Sequence, residues 1–347
     1  MPDSNAELYV GGQVYGGWQS FEVKRSISGL AGAFQLDVTD NWTGRGPVII
    51  RCGDPCVLKI NGTPVITGYV DSFDNSLDGT NHSISVSGRD KTSDLVDCSA
   101  IVAQGEVLNQ TIDQIARAIA APFGIEVKTE ADPGAPFVNF SLQPGESGFS
   151  ALDRAAKLRG LLFTTDGSGA LILTRIGIKK ASGALVEGKN VKTISLKADT
   201  KDRYSQYIVK AQKTGTDDNY GASAAHVRAE ASDATVTRYR PLVVIAEDQA
   251  NIADAEKRAQ WEAKTRAANA ASIDISVQGF EQTAGGDLWG INQIVGVESP
   301  TMGIQQGFLI SDVNMSLDER GSITNLKLVR SDAFIPEPVV IKQGEPF

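Results

Sequence analysis

Apolar and polar positions alternate along much of the opening segment. Phe21-Glu-Val-Lys-Arg alternates, and Phe34-Gln-Leu-Asp-Val-Thr puts Phe34, Leu36 and Val38 on one face of a strand. Val57-Leu-Lys-Ile runs into Asn61-Gly62, a strong two-residue hairpin signal, and Val65-Ile-Thr-Gly-Tyr-Val returns. Ser83-Ile-Ser-Val-Ser adds another alternating strand. Short strands separated by regular turn signals predict a small barrel or sandwich over residues 1–98.

The period changes after that. Ile112, Ile115, Ala116 and Ile119 recur at helical spacing, with Asn109 as the expected cap and Pro122 and Gly124 as stops. A second helix is expected near Ser150. Asp153 stands in a capping-box-like position, Leu152, Ala155, Ala156 and Leu158 form its apolar face, and Gly160 ends it. Leu161-Leu-Phe-Thr-Thr and Ala170-Leu-Ile-Leu-Thr flank Asp166-Gly-Ser-Gly169 and read as a hairpin. Residues 99–178 therefore form a small α/β module.

Residues 179–332 return to strands, around Tyr204–Lys210, Pro241–Ile245, Ile273–Val277, Ile294–Val297 and Phe308–Ile310. The Gly-, Ala-, Ser- and Asp-rich stretch 213–235 reads as a mobile loop. An Ala-, Glu-, Lys- and Arg-rich run predicts one long helix over 248–271, with Ile252, Ala255, Ala259 and Ala263 as a slim apolar stripe. Residues 333–347, with Pro336 and Pro338, read as an extended tail. The fold class is α+β, mainly β: two β-domains, a small α/β module between them and one long C-terminal helix.

Two distant segments echo each other. Gly68-Tyr-Val-Asp-Ser leads to Ser76-Leu-Asp and then Arg89-Asp90; Gly307-Phe-Leu-Ile-Ser leads to Ser316-Leu-Asp and then Arg330-Ser-Asp332. Each reads as the closing hairpin of a similar β-domain. Three copies of a chain with two like domains would offer six like positions in a closed ring.

Composition narrows the function classes. The 347 residues are too many for one ordinary core, and about two to four domains are expected. A net charge of −9 argues against broad nucleic-acid binding through phosphate neutralisation. No apolar run approaches the ~18 residues of a membrane span, and the N-terminus lacks a secretory pattern, so cytoplasmic assembly is expected. Three cysteines, Cys52, Cys56 and Cys98, fit a reducing compartment, and Cys52-Gly-Asp-Pro-Cys56 is only a weak metal signal.

One stretch concentrates charge of both signs where a sheet is expected to end: Ser87-Gly-Arg-Asp-Lys-Thr-Ser-Asp-Leu-Val-Asp-Cys98. Its Arg89, Asp90, Lys91 and Asp94 are candidate interface residues. So are Arg203, Tyr204, Arg238, Tyr239 and Arg240, where arginine stands beside an aromatic. Together with Gly16-Gly-Trp18, Gly32-Ala-Phe-Gln-Leu, Thr67-Gly-Tyr-Val-Asp-Ser, Arg203-Tyr-Ser-Gln-Tyr-Ile-Val-Lys, Val236-Thr-Arg-Tyr-Arg-Pro and Asp287-Leu-Trp-Gly-Ile-Asn, this stretch resembles the baseplate hub proteins of Mu-like contractile-tailed phages. The unit Glu146, Ala151-Leu, Arg154-Ala-Ala and Gly160-Leu-Leu-Phe is also similar to VgrG-type spike proteins. The resemblance implies a non-enzymatic homotrimer with two tube-like β-barrel domains per chain in a pseudo-sixfold ring. Its implied partners are the tail tube protein, the central spike protein and the surrounding baseplate proteins, and its place is the virion.

Catalytic motifs are missing. There is no phosphate loop, no dinucleotide fingerprint, no H-E-x-x-H and no G-x-S-x-G elbow. His82, in an expected turn, and His226 read as solvated surface. Glu146 and Asp153 would be the carboxylates of a glycosidase, although capping explains Asp153 more simply. Trp18, Trp42, Trp261 and Trp289 read as core anchors or interface plugs. No cofactor or metal is expected. The alternatives are a cell-envelope glycan hydrolase or a particle-borne carbohydrate-binding β-protein. An acidic lumen that repels DNA is a weaker expectation.

Overall fold

The computed structural model describes residues 6–39, 49–78, 82–102, 105–159, 161–211, 227–245 and 252–330. Trp42, His226, Gly160, residues 212–226 and the expected tail 333–347 lie outside them.

The opening segment supplies β1 (Ala6–Val10), β2 (Gln13–Tyr15), β3 (Ser20–Ser26), β4 (Ala33–Thr39), β5 (Pro55–Ile60), β6 (Thr63–Leu77) and β7 (His82–Asp90). Alternation is the cause: Phe21 and Val23, Phe34, Leu36 and Val38, and Ile84 and Val86 are buried, while the residues between them face the other way. Asn61 (φ 50°) and Gly62 (φ 78°) make the left-handed turn that joins β5 to β6. His82 does not lie in a turn; it is the first residue of β7, with Nε2 2.5 Å from Asn75 Oδ1.

The α/β module holds α1 (Ser93–Asp97), β8 (Glu106–Gln110), α2 (Ile112–Ala120), β9 (Val127–Thr129), β10 (Phe137–Ser141), α3 (Gly148–Arg159), β11 (Leu162–Thr165) and β12 (Leu171–Thr174). Ile112, Ile115, Ala116 and Ile119 all face its core, with Leu152, Ala155 and Ala156 of α3. The caps differ from expectation. Asn109, in the left-handed region, lies within β8, and Thr111 precedes α2, its N–H donating to Gln114 Oε1 at 3.0 Å. The α3 helix starts before Ser150 because the Ser147 hydroxyl accepts the Ser150 N–H at 3.2 Å, which leaves Asp153 inside the helix.

The third segment supplies β13 (Lys179–Lys180), β14 (Leu185–Val186), β15 (Val191–Ala198), β19 (Ala271–Gln278), β20 (Gln293–Ser299), β21 (Ile304–Asp318) and β22 (Gly321–Val329). Between β15 and β19 the chain leaves to form β16 (Gln206–Ala211), β17 (Val227–Ser232), β18 (Pro241–Ile245) and α4 (Ile252–Asn269), and the Asp199 N–H to Ala270 carbonyl bond at 2.8 Å closes the neck. The expected loop 213–235 is thus wrong for 227–232. That stretch pairs with β16, and its Ala229 packs with Val209 against Ala255 and Ala259 of α4. In sequence its alternating apolar positions are one valine and two alanines, too weak a signal to read as a strand. Ile252, placed on the buried stripe by its spacing, is instead 61% exposed.

The two outer segments form one 14-stranded sheet, in the order β15-β19-β22-β21-β3-β4-β7-β6-β5-β1-β2, with β13, β14 and β20 branching beside β21. The joint between the segments is the antiparallel pair β3–β21, from Phe21↔Leu317 to Ser26↔Asp312. The path does not return on itself, so no closed barrel forms within the chain among the described residues, where closed tube-like domains had been expected. The two segments also share one core: the rings of Phe21 and Phe280 lie 5.5 Å apart, and Trp18 and Trp289 are both buried in it.

Candidate assembly interface

The other face of this sheet is polar. Glu22 and Lys24, Gln35 and Asp37, Ser85 and Ser87, Asp274 and Ser276, Asp312 and Asn314, and Asn325 and Lys327 alternate with the buried residues. They are tied together: Lys24 Nζ lies 2.7 Å from Glu22 Oε2 along β3, and across strands Asn314 Nδ2 donates to Glu22 Oε1 at 2.8 Å and the Ser72 and Ser87 hydroxyls are 2.8 Å apart. A hollow of about 550 Å³ opens over Lys24, Ser195, Asp274, Asn314, Asn325 and Lys327.

The sheet repeats itself. Both β6 and β21 are 15 residues long, each followed by a 9-residue strand, β7 and β22. Both carry a bulge, Asp71 between Val70 and Ser72, and Ser311 between Ile310 and Asp312. Across four strands the row Ser72, Ser87, Gln35, Glu22 has its counterpart in Asp312, Lys327, Asp274, Ser195. So β6, β7, β4 and β3 correspond to β21, β22, β19 and β15. The insertion β16–α4 stands where the first segment has only the short link from Ile27 to Gly32.

The charged stretch after β7 resolves into an internal joint and a surface clamp. Asp90 is 1% exposed. Its carboxylate accepts the Gly32 N–H at 2.7 Å, the Thr92 N–H at 2.8 Å, the Thr165 hydroxyl at 3.0 Å and the Thr92 hydroxyl. Burial pushes its pKa up in spite of these donors. Asp90 therefore ties the sheet to the α/β module inside one chain. Nearby, Gly167 of the Asp166–Gly169 turn lies against β6 so closely that a Cβ would stand 1.9 Å from the Pro64 carbonyl oxygen, and Thr67 Oγ1 donates to its carbonyl at 2.7 Å.

Arg89 remains on the surface. It clamps the bulged Asp71 at 2.6 Å and Asp97 of α1 at 2.8 Å, and these two carboxylates hold its pKa above the ordinary arginine value. Lys91 donates its N–H to the Thr67 carbonyl at 3.1 Å, and Asp94 lies within α1.

The second candidate group splits. Arg203 bonds Asp233, Tyr204 stacks edge-on to Tyr207 at 5.9 Å, and the Arg240 and Arg266 guanidinium carbons lie 5.3 and 5.7 Å from the Tyr204 ring centre. Arg240 also donates from Nε to the Arg203 carbonyl at 3.0 Å. These three staple the insertion together, whereas Arg238 and Tyr239 are exposed, Tyr239 at 83%. Trp261 is half-buried under Arg258, 5.0 Å from its ring centre.

Among the described residues, the nominated carboxylates and cysteines do not gather into a catalytic or metal site. Glu146 pairs with Arg154 at 2.7 Å and accepts the Gln143 N–H, as a structural carboxylate does. Cys52 and Cys98 are exposed and Cys56 is buried. Among the described residues no group of three or more His, Cys, Asp and Glu could hold a metal, and no helix is long and apolar enough to cross a membrane.

What sequence reasoning missed are two strand edges left unpaired among the described residues. Among these residues the second half of β6 pairs only with β7, and β15 pairs only with β19 apart from one bridge at Val191. Leu77 and Leu196 on these edges are 77% and 51% exposed. The echo around Gly68 and Gly307 was the available signal. Finding the edges also required knowing that β3 occupies the matching edge of β21.

Comparison with known proteins places this architecture. Four family models match: Mu phage baseplate assembly protein GpP-like, N-terminal, over residues 5–90; baseplate hub protein gp44-like, second domain, over 92–175; tail protein NMB1110-like, third domain, over 203–261; and GpP, fourth domain, over 251–337. The baseplate hub protein gp44 of Escherichia phage Mu is 34% identical over 341 residues, 94% of this chain and 88% of that protein. The crystal structure of the 43 kDa tail protein of prophage MuSo2 from Shewanella oneidensis superposes with a TM-score of 0.87 at 35% identity, covering 97% of this chain and all of the other. The tail protein from Neisseria meningitidis MC58 shares the fold, with a TM-score of 0.82 at 24% identity over 96% of this chain and 98% of its own.

Proposed function

This chain belongs to the family of the phage Mu baseplate hub protein gp44, a family of structural tail components and not of enzymes, and from that premise we propose that it is the central hub of a contractile-tail baseplate. Three copies form a ring of six like β-segments. The ring continues the tail tube above, seats the central spike below and contacts the surrounding baseplate proteins. It belongs to the tail of the virion and is assembled in the host cytoplasm.

One observation carries the ring: the strand-for-strand equivalence of the two β-segments and their edge-to-edge joining through β3 and β21. A chain holding two equivalent units in a row offers a threefold assembly that meets a sixfold tube position by position. The closed tube, which one chain does not make, is then a property of the assembly.

The polar, concave face is the wall of the channel through which DNA leaves. Lys24, Lys197 and Lys327 stand among Glu22, Asp37, Asp74, Asp274 and Asp312, and Lys197 pairs with Asp274. Carboxylates outnumber lysines on this face, which favours a wall that stays hydrated and does not hold a polyanion. The hydrolase alternative loses its ground, because the relatives are structural proteins.

Light scattering of the purified chain tests the ring. A mass close to three times the 36.8 kDa chain is expected. A monomer at every concentration, in tail extracts as well as in buffer, would overturn it.

A further inference from the structure

We propose that copies of this chain join through one defined antiparallel strand pair: the second half of β6 in one copy against β15 of the next. This deepens the ring reading and rests on it.

The made joint defines the unmade one. On one side of β21, the first half is held by β20, from Ser299↔Ile304 to Ile294↔Leu309, and the second half by β3. On the matching side of β6, the first half is held by β5, from Ile60↔Thr63 to Pro55↔Tyr69. Its second half has no partner there among the described residues. The strand β15, counterpart of β3, has an open side beyond the bridge at Val191 among the described residues. The sheet runs from β15 to β6 without closing, so the two half-joints meet between copies.

The register follows from the rows that match across the repeat. Opposite pairs Leu317–Phe21, Met315–Val23, Asn314–Lys24 and Asp312–Ser26 in the made joint transfer to Leu77–Ile194, Asn75–Leu196, Asp74–Lys197 and Ser72–Asp199. The chemistry of these positions fits. Leu77 and Leu196 point to the apolar side, as Leu317 and Val23 do, yet are 77% and 51% exposed where Val23 is 2%. Asp74 and Lys197 meet on the polar side with opposite charge, an arrangement that favours this register over a slipped one. A long edge carrying exposed leucines is an aggregation hazard unless a strand covers it.

Cysteine cross-linking tests the pairing. The full chain carries Cys52→Ser and Cys98→Ser, which removes the exposed thiols, together with Asn75→Cys and Leu196→Cys. Under mild oxidation, covalent species up to three chains are expected. The off-register pair Asn75→Cys with Ala198→Cys should cross-link at least about tenfold less, since a two-residue slip exceeds disulfide reach. Equal or greater cross-linking off register would overturn the register. A threefold mass without any cross-link would overturn the joint and leave the ring standing. A monomer would overturn both. If the cysteine variants do not fold, a double-mutant cycle replaces them. Asp74→Ala or Lys197→Ala alone should weaken association on the order of threefold, and the double variant should weaken it no further than either single one. Additive losses in the double variant would overturn the joint.

Discussion

Asp71 and Ser311 hold the same place in two copies of one hairpin. Each is the bulged residue of a 15-residue strand. Each precedes the Ser-Leu-Asp at the end of its strand, Ser76–Asp78 or Ser316–Asp318, by the same interval. A bulge adds a residue to one strand and increases the local twist. Matching bulges bend both segments at the same height, which lets the edge of one lie along the edge of the other. At Ser311 the joint uses the bulge directly: its carbonyl accepts the Ile27 N–H at 2.9 Å. At Asp71 the side chain is held by Arg89.

The shared core predicts that the two β-segments unfold together. Phe280 is 2% exposed and packs on Phe21. Phe280→Ala should cost about 3–5 kcal/mol and lower a transition that both segments share. Scanning calorimetry would check this. Loss of the third segment alone, with the first melting unchanged, would contradict a common core.

The contact of the Asp166–Gly169 turn with β6 is backbone on backbone, so nothing at hand can yield to a new methyl group. Gly167→Ala is expected to cost about 2–4 kcal/mol by pushing the α/β module off the sheet. Denaturant unfolding gives the value. An unchanged midpoint would mean that the module is held mainly by Asp90 and its four donors.

Asp233 fixes a pH dependence within the insertion. Burial alone would raise its pKa, but hydrogen bonds from Thr235 and Arg203 outweigh this and hold it below the ordinary carboxylate range. The folded chain thus binds this proton less readily than the unfolded chain. The stabilisation is complete above the ordinary Asp value of about 3.9 and fades as pH falls through the lower folded value. Melting temperatures of the parent and Asp233→Asn should differ at neutral pH and converge towards pH 3. A gap that stays constant would assign the loss to shape and not to charge.

Thiol reactivity should separate the cysteines. Burial pushes the Cys56 thiol up to about 12, and its side chain lies in the core, while Cys52 and Cys98 are exposed. Iodoacetamide at pH 8 should modify Cys52 and Cys98 and leave Cys56 intact until the chain unfolds. Peptide mass mapping reads this out. Modification of Cys56 in the folded chain would mean that the strand around it opens.

The sequence by itself determined the elements and their order. Strict alternation named the strands around Phe21, Phe34 and Ser83, and the helical spacing from Ile112 to Ile119 named α2. The echo of Gly68 with Gly307 named the repeat. These signals are local, because a strand or helix face is written in consecutive residues. The sequence was silent on β17, whose alternating apolar positions are one valine and two alanines, and misleading on Ile252, whose position on the helical stripe says nothing about where the packing sheet ends. Tertiary structure alone decided that the two β-segments form one open sheet and one core. It also turned the charge cluster at Asp90 into an internal tie and, among the described residues, left β15 and the second half of β6 uncovered. The reason is physical: a strand's pattern tells which face is buried, but the hydrogen-bonding edge is backbone, identical for every residue except proline. Which edge meets which is settled only when the distant strands, here β3 and β21, are brought together.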